Sequence, residues 1–223
     1  MYEIDTSTLG AYIRTILSLV GGVLRLDPAV FQTVNTVGTQ DLVLFWIVLI
    51  AGMSWMIGQS IVLFANRVKP QRFFIAIFMG GIRFVLEVAL VGLSVALLGV
   101  WLGRIEIDFT RTFQTISLAY APYWLAFLIL IPYFGLKIEK LLKVYLFLTL
   151  VTALQVAFQA SFSRAVIQAL IVFGIAAIVN IVLSRLLTPL ANAIMRFVSG
   201  GDDDQLYDKL QTMFLQDNQP AAR

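Results

Sequence analysis

The fold is decided by Ser117-Leu-Ala-Tyr120-Ala-Pro122-Tyr123-Trp124 and by the apolar run that follows it to Ile131-Pro132-Tyr133-Phe134-Gly135. About 20 consecutive positions here are apolar, and a helix of that length, at ~1.5 Å per residue, crosses a hydrocarbon layer of ~30 Å. The stretch therefore predicts a membrane-spanning helix that carries two prolines, with the rest of the chain as its packing partners and flanks.

Both prolines, Pro122 and Pro132, are predicted to kink this helix. A proline lacks a backbone N–H and its ring clashes one turn back, which frees the carbonyls of Leu118 and Leu128. Because lipid offers no hydrogen bonds, these carbonyls need new partners from the protein. We expect the partners to come from a neighbouring helix or from hydroxyl groups of the same helix: Thr115, Ser117 and Tyr120.

The composition places the chain in a membrane. Of its 223 residues, 60% are hydrophobic and 13% are charged, and the mean hydropathy is +0.89. A soluble domain is typically ~45–50% apolar and ~25% charged. The apolar runs lack the ~10-residue alternation of barrel strands, so the spanning elements are expected to be helices. We predict an all-α fold: a polytopic membrane helix bundle with about five transmembrane helices and amphipathic helices at both termini.

The residue types that are missing exclude several chemistries. The chain has no cysteine and no histidine, which removes thiolate catalysis, disulfides, imidazole-ligated haem and the usual zinc and copper sites. It also has no glycine-rich phosphate loop and no pair of carboxylates at a catalytic spacing. We therefore predict a protein that is not an enzyme and has no cofactor. The net charge of +3 is interpreted as topology information, not as a sign of nucleic-acid binding.

Three segments are predicted: an amphipathic interfacial segment over residues 1–40, a transmembrane domain over 41–188 and an amphipathic cytoplasmic tail over 189–223. Small residues in the first span let another backbone approach closely. They are Ala51, Ser54, Gly58 and Ser60. Apart from the proline-bearing stretch, spans are expected at residues 42–64, from 73 or 82 to 102, at 141–158 and at 165–187.

The first forty residues have the pattern of two short helices. Apolar residues recur at helical spacing after Ser7 or Thr8, either of which can cap the start. Asp27-Pro28 is a cap followed by a first-turn proline, which predicts a second helix to about Asn35. Two interpretations remain open for this segment: a helix that docks on the membrane surface or a partner, and a cover packed over the end of the bundle.

Arg83 and Glu87 are the sharpest local feature of the sequence. They lie one helical turn apart inside the second span, where ionisable side chains are costly and mark functional sites by default. A transporter would use them as a proton or ion relay. The alternative is a structural role: an ion pair that neutralises itself within the bundle or, if the helix begins as late as residue 82, an Arg83 that reaches back to the lipid headgroups.

Three amides and a threonine are the other polar residues of interest in the spans. Thr152, Gln155 and Gln159 form a stripe on the fourth span, and Asn180 is a lone amide on the fifth. Interhelical hydrogen bonding is the simpler interpretation, and a solute pathway is the alternative. In the tail, an apolar face is expected either to fold back on the bundle or to dock on another protein. It consists of Leu206, Leu210, Met213 and Phe214.

Three stretches resemble a bacterial membrane protein family. They begin at Phe109-Thr-Arg111 and run through Tyr120-Ala-Pro122, continue at Ile131-Pro132-Tyr-Phe-Gly135, and end at Ser161-Phe-Ser163-Arg164. Together they look like the second half of a bacterial Yip1-domain membrane protein. The resemblance covers roughly residues 42–187 and implies a five-helix bundle without catalytic residues. Eukaryotic members bind small GTPases through a long cytosolic N-terminal segment, which this chain lacks.

Two classes of function follow from these patterns. The first is a noncatalytic scaffold, assembly factor or accessory subunit that binds other integral membrane proteins within the lipid bilayer. The second is a small solute or ion transporter or channel that uses Arg83 and Glu87. Basic residues are more numerous on the side opposite the N-terminus, so the positive-inside rule places the N-terminus outside and the C-terminus in the cytoplasm. The expected location is a bacterial inner or internal membrane.

Overall fold

The computed structural model describes residues 2, 4–37, 41–59, 70–101 and 109–199, and within those ranges the chain is helical and contains no strand. The predicted all-α fold is thus confirmed. The helices are α1 (Leu9–Leu24), α2 (Pro28–Val37), α3 (Asp41–Gln59), α4 (Pro70–Trp101), α5 (Phe109–Ala119), a 3₁₀ helix (Ala121–Leu130), α6 (Gly135–Ala157) and α7 (Phe162–Ser199).

Five of these helical stretches are long and apolar enough to cross a membrane, in agreement with the predicted number. The third consists of α5 and the 3₁₀ helix together. The five spans are Asp41–Gln59, Phe73–Ala96, Thr110–Leu130, Gly135–Ala157 and Phe162–Leu186. The chain therefore has the architecture of a multi-pass helical membrane protein.

One predicted boundary is wrong. The fourth span was expected to begin at residue 141, but α6 begins at Gly135 because its first turns hold charges that suit a helix: the Lys143 Nζ lies 2.7 Å from the Glu139 Oε1, one turn away. The fifth span, expected at residues 165–187, agrees with the observed span Phe162–Leu186, and the helix that contains it continues through Pro189 to Ser199. Proline removes one hydrogen bond from a helix and does not always end it.

The N-terminal helices pack over the bundle. The Thr8 hydroxyl accepts a hydrogen bond from the Ala11 N–H at 3.2 Å and so caps α1. α1 and α2 contact α5, and α2 also contacts α6. Their fully buried side chains include Val23, Val30 and Phe31. α1 also carries an exposed apolar stripe, of which Leu9, Ile13 and Leu17 are the members.

The carboxylate of Asp27 caps α2 and also contacts the N-terminal residue Tyr2. Asp27 Oδ1 accepts the Ala29 N–H at 2.9 Å, and Asp27 Oδ2 accepts the Tyr2 hydroxyl at 2.8 Å. The Ala29 N–H, and after it the Tyr2 hydroxyl, hold the pKa of the Asp27 carboxyl below its ordinary value. Hydrogen bonds to a carboxylate favour its charged form, so this cap is strongest when Asp27 is ionised.

The centre of the bundle is α3, which contacts both α4 and the 3₁₀ helix. Glycines make these contacts close. A Cβ added at Gly58 would lie 2.2 Å from the Ala126 carbonyl oxygen, and one at Gly52 would lie 2.5 Å from the Phe84 Cβ and 3.0 Å from the Gly81 Cα. The backbones of three spans therefore meet around α3, as small residues in membrane helices allow.

The chain divides into two compact units, residues 1–180 and 181–223. The first contains α1 to α6, the 3₁₀ helix and the start of α7. Of the second, the structure describes residues 181–199, the C-terminal part of α7. The predicted tail face, Leu206, Leu210, Met213 and Phe214, lies outside the described residues.

Candidate functional site

The proline-bearing span changes helix type at Tyr120. α5 ends at Ala119, and the following ten residues form a 3₁₀ helix with Pro122 at its second position. A 3₁₀ helix rises ~2.0 Å per residue and seldom exceeds 3–4 residues, because its hydrogen bonds are poorer than those of an α-helix. A 3₁₀ stretch of this length inside a span needs support from neighbouring helices.

α3 supplies that support through one hydroxyl. The buried Ser54 Oγ donates to the Trp124 carbonyl at 2.8 Å and accepts from the Phe127 N–H at 2.9 Å. Trp124 also donates to α3, because its Nε1 hydrogen bonds to the Ile47 carbonyl at 2.8 Å. These three hydrogen bonds fix the 3₁₀ helix against α3, and together they are called the Ser54 lock below.

A second hydroxyl holds the junction itself. The Thr149 Oγ1 on α6 lies 2.9 Å from the Ala119 carbonyl, at the last residue of α5, and 2.8 Å from the Leu146 carbonyl of its own helix, and it shares its one proton between these two acceptors. Hydroxyls of neighbouring helices thus bond carbonyls of the third span, but these are the Trp124 and Ala119 carbonyls and not the expected Leu118 and Leu128. The Leu128 carbonyl accepts the Ile131 N–H at 3.0 Å. Two of the same-helix hydroxyls that were the other expected source, Thr115 Oγ1 and Tyr120 Oη, are buried without a hydrogen-bond partner in the described part of the chain.

Pro132 does not kink the span, contrary to prediction. The 3₁₀ helix ends at Leu130, and the Phe134 N–H donates to the Ile131 carbonyl at 3.3 Å. Pro132 and Tyr133 are the central residues of this turn, and Tyr133 has a φ of 66°. Proline followed by a residue with positive φ is the signature of a type II turn. Pro132 therefore ends the third span and starts the connection to α6.

Arg83 and Glu87 share one face of α4 but do not form the predicted ion pair. The Asn180 Nδ2 on α7 donates to the Glu87 Oε2 at 3.0 Å. Among the described residues, no ion pair within 4.0 Å engages Glu87, and the Arg83 Nε is buried without a hydrogen-bond partner.

Aromatic rings separate this polar group from the centre of the bundle. The Phe84 ring contacts Tyr120 and Tyr123 edge-on, with centroids 5.8 and 5.5 Å apart, and Trp55 contacts Tyr123 at 5.0 Å. Arg83, Glu87 and Asn180, with Tyr120 behind them, are called the polar cluster below.

The polar cluster lies at the outer edge of the bundle. Glu87 is half-buried, Asn180 is exposed, and the neighbouring Leu90 is 39% exposed. Glu87 is nine residues from the nearer end of the span Phe73–Ala96, a rise of about 13 Å along the helix. The carboxylate therefore lies at the depth of the hydrocarbon region and at the outer surface of the bundle.

The two amides of the fourth span lie elsewhere. Gln155 is near the end of α6, and Gln159 follows that end with a φ of 47°. The Ala160 N–H donates to the Gln155 carbonyl at 3.2 Å, which closes the helix with a Schellman-type bond. Both side chains line a cavity with α2. The interpretation of this stripe as hydrogen bonds between spans is therefore wrong for Gln155 and Gln159, but Asn180 does bond another span.

The comparisons with known proteins give no family. No protein-family model, curated protein or solved structure matches the chain. The resemblance to Yip1-domain proteins stays a prediction. Within the described ranges, no group of three or more acidic, cysteine or histidine side chains is placed to hold a metal ion.

Sequence reasoning missed the polar contacts that shape the third span. Ser54 was expected only as a small residue for close packing, and Trp124 and Thr149 were given no role. The available signal was the coincidence of a proline-bearing span with a serine in one neighbouring span and a threonine in another. Such hydroxyls satisfy freed backbone groups in lipid.

Proposed function

We propose that this chain is a noncatalytic integral membrane protein that acts as a scaffold, assembly factor or accessory subunit by binding other integral membrane proteins. The observation that carries the proposal is the hydrogen bond between Asn180 and Glu87 at the exposed edge of α4 and α7. A partner helix that packs over this edge removes the pair from lipid. The polar cluster is thus the proposed contact site.

The energetic argument rests on the cost of ionisable groups in lipid. Insertion scales assign about 2.5–3.5 kcal/mol to an aspartate, lysine or arginine at the centre of a spanning helix. One hydrogen bond from Asn180 leaves other lone pairs of the Glu87 carboxylate without a protein donor among the described residues. Hydrogen-bond donors from a partner helix lower this cost, and the same donors make the contact selective for a partner with the matching polar residue.

The two spans that carry the pair are also the least buried. In the most apolar 18-residue stretch of each span, 22% of the residues are buried for Phe73–Ala96 and 17% for Phe162–Leu186. The corresponding share for Thr110–Leu130 is 61%. Lipid covers such surfaces well where they are apolar. The combination of an exposed surface with a polar pair at its edge is what favours protein over lipid as the neighbour.

We further propose that the protein resides in a bacterial inner or internal membrane, with its N-terminus outside and its C-terminus in the cytoplasm. The positive-inside distribution of basic residues supports this orientation. The resemblance to Yip1-domain proteins supports the same class of function, since that family implies contacts with other proteins and no catalytic residues.

Transport is the second candidate, and one observation favours it. The Arg83 Nε and the Tyr120 Oη are both buried without a partner in the described residues, and the Tyr120 ring packs against Phe84, the residue that follows Arg83. Buried polar atoms without a protein partner are commonly bonded to water, and a chain of waters through the cluster would carry protons or ions.

A double substitution separates the two candidates. Arg83→Met with Glu87→Leu replaces the charged residues by apolar ones of similar size. The matched control is Glu139→Leu with Lys143→Leu, which removes a pair with the same spacing from α6. Each protein is purified from native membranes in mild detergent for mass spectrometry of bound proteins, and is also reconstituted into liposomes for proton and ion flux.

The scaffold proposal expects a stoichiometric membrane-protein partner with the wild type and the control, and a loss of that partner with the double substitution. It also expects liposomes without flux above the protein-free background. A flux in the wild type that the double substitution abolishes, while the protein still folds, would refute the scaffold proposal and establish transport.

A further inference from the structure

A polar cavity lies between α2 and the end of α6, separate from the polar cluster. Its volume is about 440 Å³, within the ~300–1,000 Å³ range of small-molecule sites. Six polar side chains line it together with small apolar residues. The six are Gln32, Asn35, Thr36, Thr152, Gln155 and Gln159. This cavity is called the amide pocket below.

The amide pocket offers hydrogen bonds without charge. Each carboxamide presents a carbonyl acceptor and an NH₂ donor side by side. The Thr36 and Thr152 hydroxyls donate to carbonyls of their own helices at 2.8 and 3.0 Å, which leaves their oxygens as acceptors. In the described part of the chain, no hydrogen bond to another protein group engages the four amide side chains. Their donors and acceptors are available to a ligand.

The lining selects against charged ligands. No ionisable side chain is among the described residues that line the cavity. A phosphate or carboxylate would find no cationic side chain in the lining, and an amine would find no carboxylate. Each charged group would therefore lose its hydration without a compensating ionic interaction. The favoured ligand is neutral and carries adjacent donors and acceptors. Vicinal hydroxyl groups of a sugar have this property, because each hydroxyl both donates and accepts.

The position of the pocket fits a ligand at the membrane surface. Gln155 is two residues from the end of the span Gly135–Ala157, and Gln159 follows that end. Hydrogen bonds hold the adjoining helix ends: the Ala160 N–H closes α6 on the Gln155 carbonyl, and the Asp27 carboxylate caps α2. Gln32, Thr36 and Gln159 are exposed, so a pocket at this depth is within reach of a dissolved sugar and of a lipid headgroup.

We propose that the amide pocket binds a neutral glycosyl group, presented either as a free sugar or as the headgroup of a glycolipid. The inference is independent of the proposed contact at the polar cluster, because the two sites share no residue. Gln155 on α6 and Gln32 on α2 both line the pocket, and each contributes hydrogen bonds to the sugar hydroxyls.

The test uses the full chain in nanodiscs of phosphatidylethanolamine and phosphatidylglycerol. Glycoside detergents are excluded from the final preparation, since they carry the proposed ligand chemistry. One arm adds glucosyl-diacylglycerol to the nanodisc, a second adds diacylglycerol without the sugar, and a third adds free methyl glucoside. Native mass spectrometry measures retained lipid, and amide hydrogen exchange measures protection of residues 28–36 and 152–160.

Three variants complete the design. Gln155→Leu and Gln32→Leu remove hydrogen-bonding groups from the pocket, and Ser161→Ala is the control, an exposed polar residue beside the pocket that does not line it. Loss of one or two hydrogen bonds is expected to weaken sugar binding about 3- to 10-fold in each leucine variant. Gln155→Glu keeps the shape but adds a charge without a cation, and it is expected to weaken binding as well.

Preferential retention of the glucosyl lipid over diacylglycerol, lost in the glutamine variants and kept in Ser161→Ala, supports the proposal with a lipid source. Protection of both segments by methyl glucoside supports a soluble source. Equal retention of the two lipids together with no protection by the free sugar would overturn it, as would glutamine variants that bind like the wild type. None of these outcomes depends on a protein partner.

Discussion

The Ser54 lock gives the sharpest stability prediction, through the substitution Ser54→Ala. The hydroxyl bonds two groups of the 3₁₀ helix, the Trp124 carbonyl and the Phe127 N–H, and these are three residues apart. They are therefore the two ends of one regular 3₁₀ hydrogen bond. When the hydroxyl is removed, they have each other as partners, which limits the penalty of leaving them unsatisfied.

Because the Trp124 carbonyl and the Phe127 N–H can bond each other, the expected loss of stability in Ser54→Ala is moderate. A buried group without any partner costs about 1–3 kcal/mol, whereas polar contacts in one membrane protein average ~0.6 kcal/mol and reach ~1.7. Two lost contacts with partial compensation give an expected loss of about 1–2 kcal/mol in the free energy of unfolding. The control is Ser94→Ala, because the Ser94 hydroxyl donates only to the Leu90 carbonyl of its own helix at 2.7 Å. That change is expected to stay within about 0.5 kcal/mol.

Equilibrium unfolding in bicelles measures both variants, and amide hydrogen exchange of the segment 121–130 locates the effect. Faster exchange confined to this segment in Ser54→Ala is expected, with Ser94→Ala unchanged. If the two variants lose the same stability, or if the segment exchanges at the wild-type rate in Ser54→Ala, the lock does not support the 3₁₀ helix and the reasoning fails.

Three further predictions concern packing, capping and turn geometry. Gly58→Ala places a Cβ 2.2 Å from the Ala126 carbonyl and is expected to cost about 3 kcal/mol or more. Gly174→Ala meets nothing within 4 Å and is expected to stabilise the protein by up to about 1 kcal/mol in the same unfolding assay. The ionised Asp27 stabilises the fold fully above the pKa of about 3.9 that it has in the unfolded chain, and this contribution is lost as the pH falls through its lower pKa in the folded protein. In an acid unfolding titration, Asp27→Asn is therefore expected to lack the loss of stability that the wild type shows in this pH range. Tyr133, 99% exposed with a φ of 66°, is expected to tolerate asparagine, whereas Tyr133→Val loses about 1 kcal/mol, and thermal melts of the two variants check this.

The class of fold could be predicted because it follows from composition and run length. Five apolar runs, the absence of strand alternation and the first-turn cap at Asp27-Pro28 each depend on local sequence. The structure agrees on five spans and places α2 at Pro28–Val37. Close packing around Gly58 was also predictable, since small residues on one face have few other uses in a membrane helix.

The polar contacts could not be predicted from spacing alone. Arg83 and Glu87 stand one turn apart, yet Glu87 bonds Asn180, which is 93 residues away in sequence. Helical spacing brings two side chains onto one face but does not decide which of several partners each one selects. That choice depends on how α4 and α7 approach each other, and this is a property of the assembled bundle.

The helix type of the third span illustrates the same limit. Pro122 predicts a disturbance, and the structure has one, but ten residues of 3₁₀ helix depend on Ser54, which belongs to another span. The role of Pro132 was wrong because a proline at a span end looks the same in sequence as a proline within it. Only the Ile131–Phe134 turn distinguishes the two cases.

Photocrosslinking within the native membrane tests the central claim most directly. A benzoylphenylalanine at Leu90 reports on the edge that carries the polar cluster, and one at Val144, 57% exposed on α6, reports on a surface without it. We predict a single protein adduct from position 90 that disappears when Glu87→Leu and Asn180→Leu are combined, and no protein adduct from position 144. Lipid adducts alone from position 90, or the same protein adducts from both positions, would contradict the proposal that this edge binds another membrane protein.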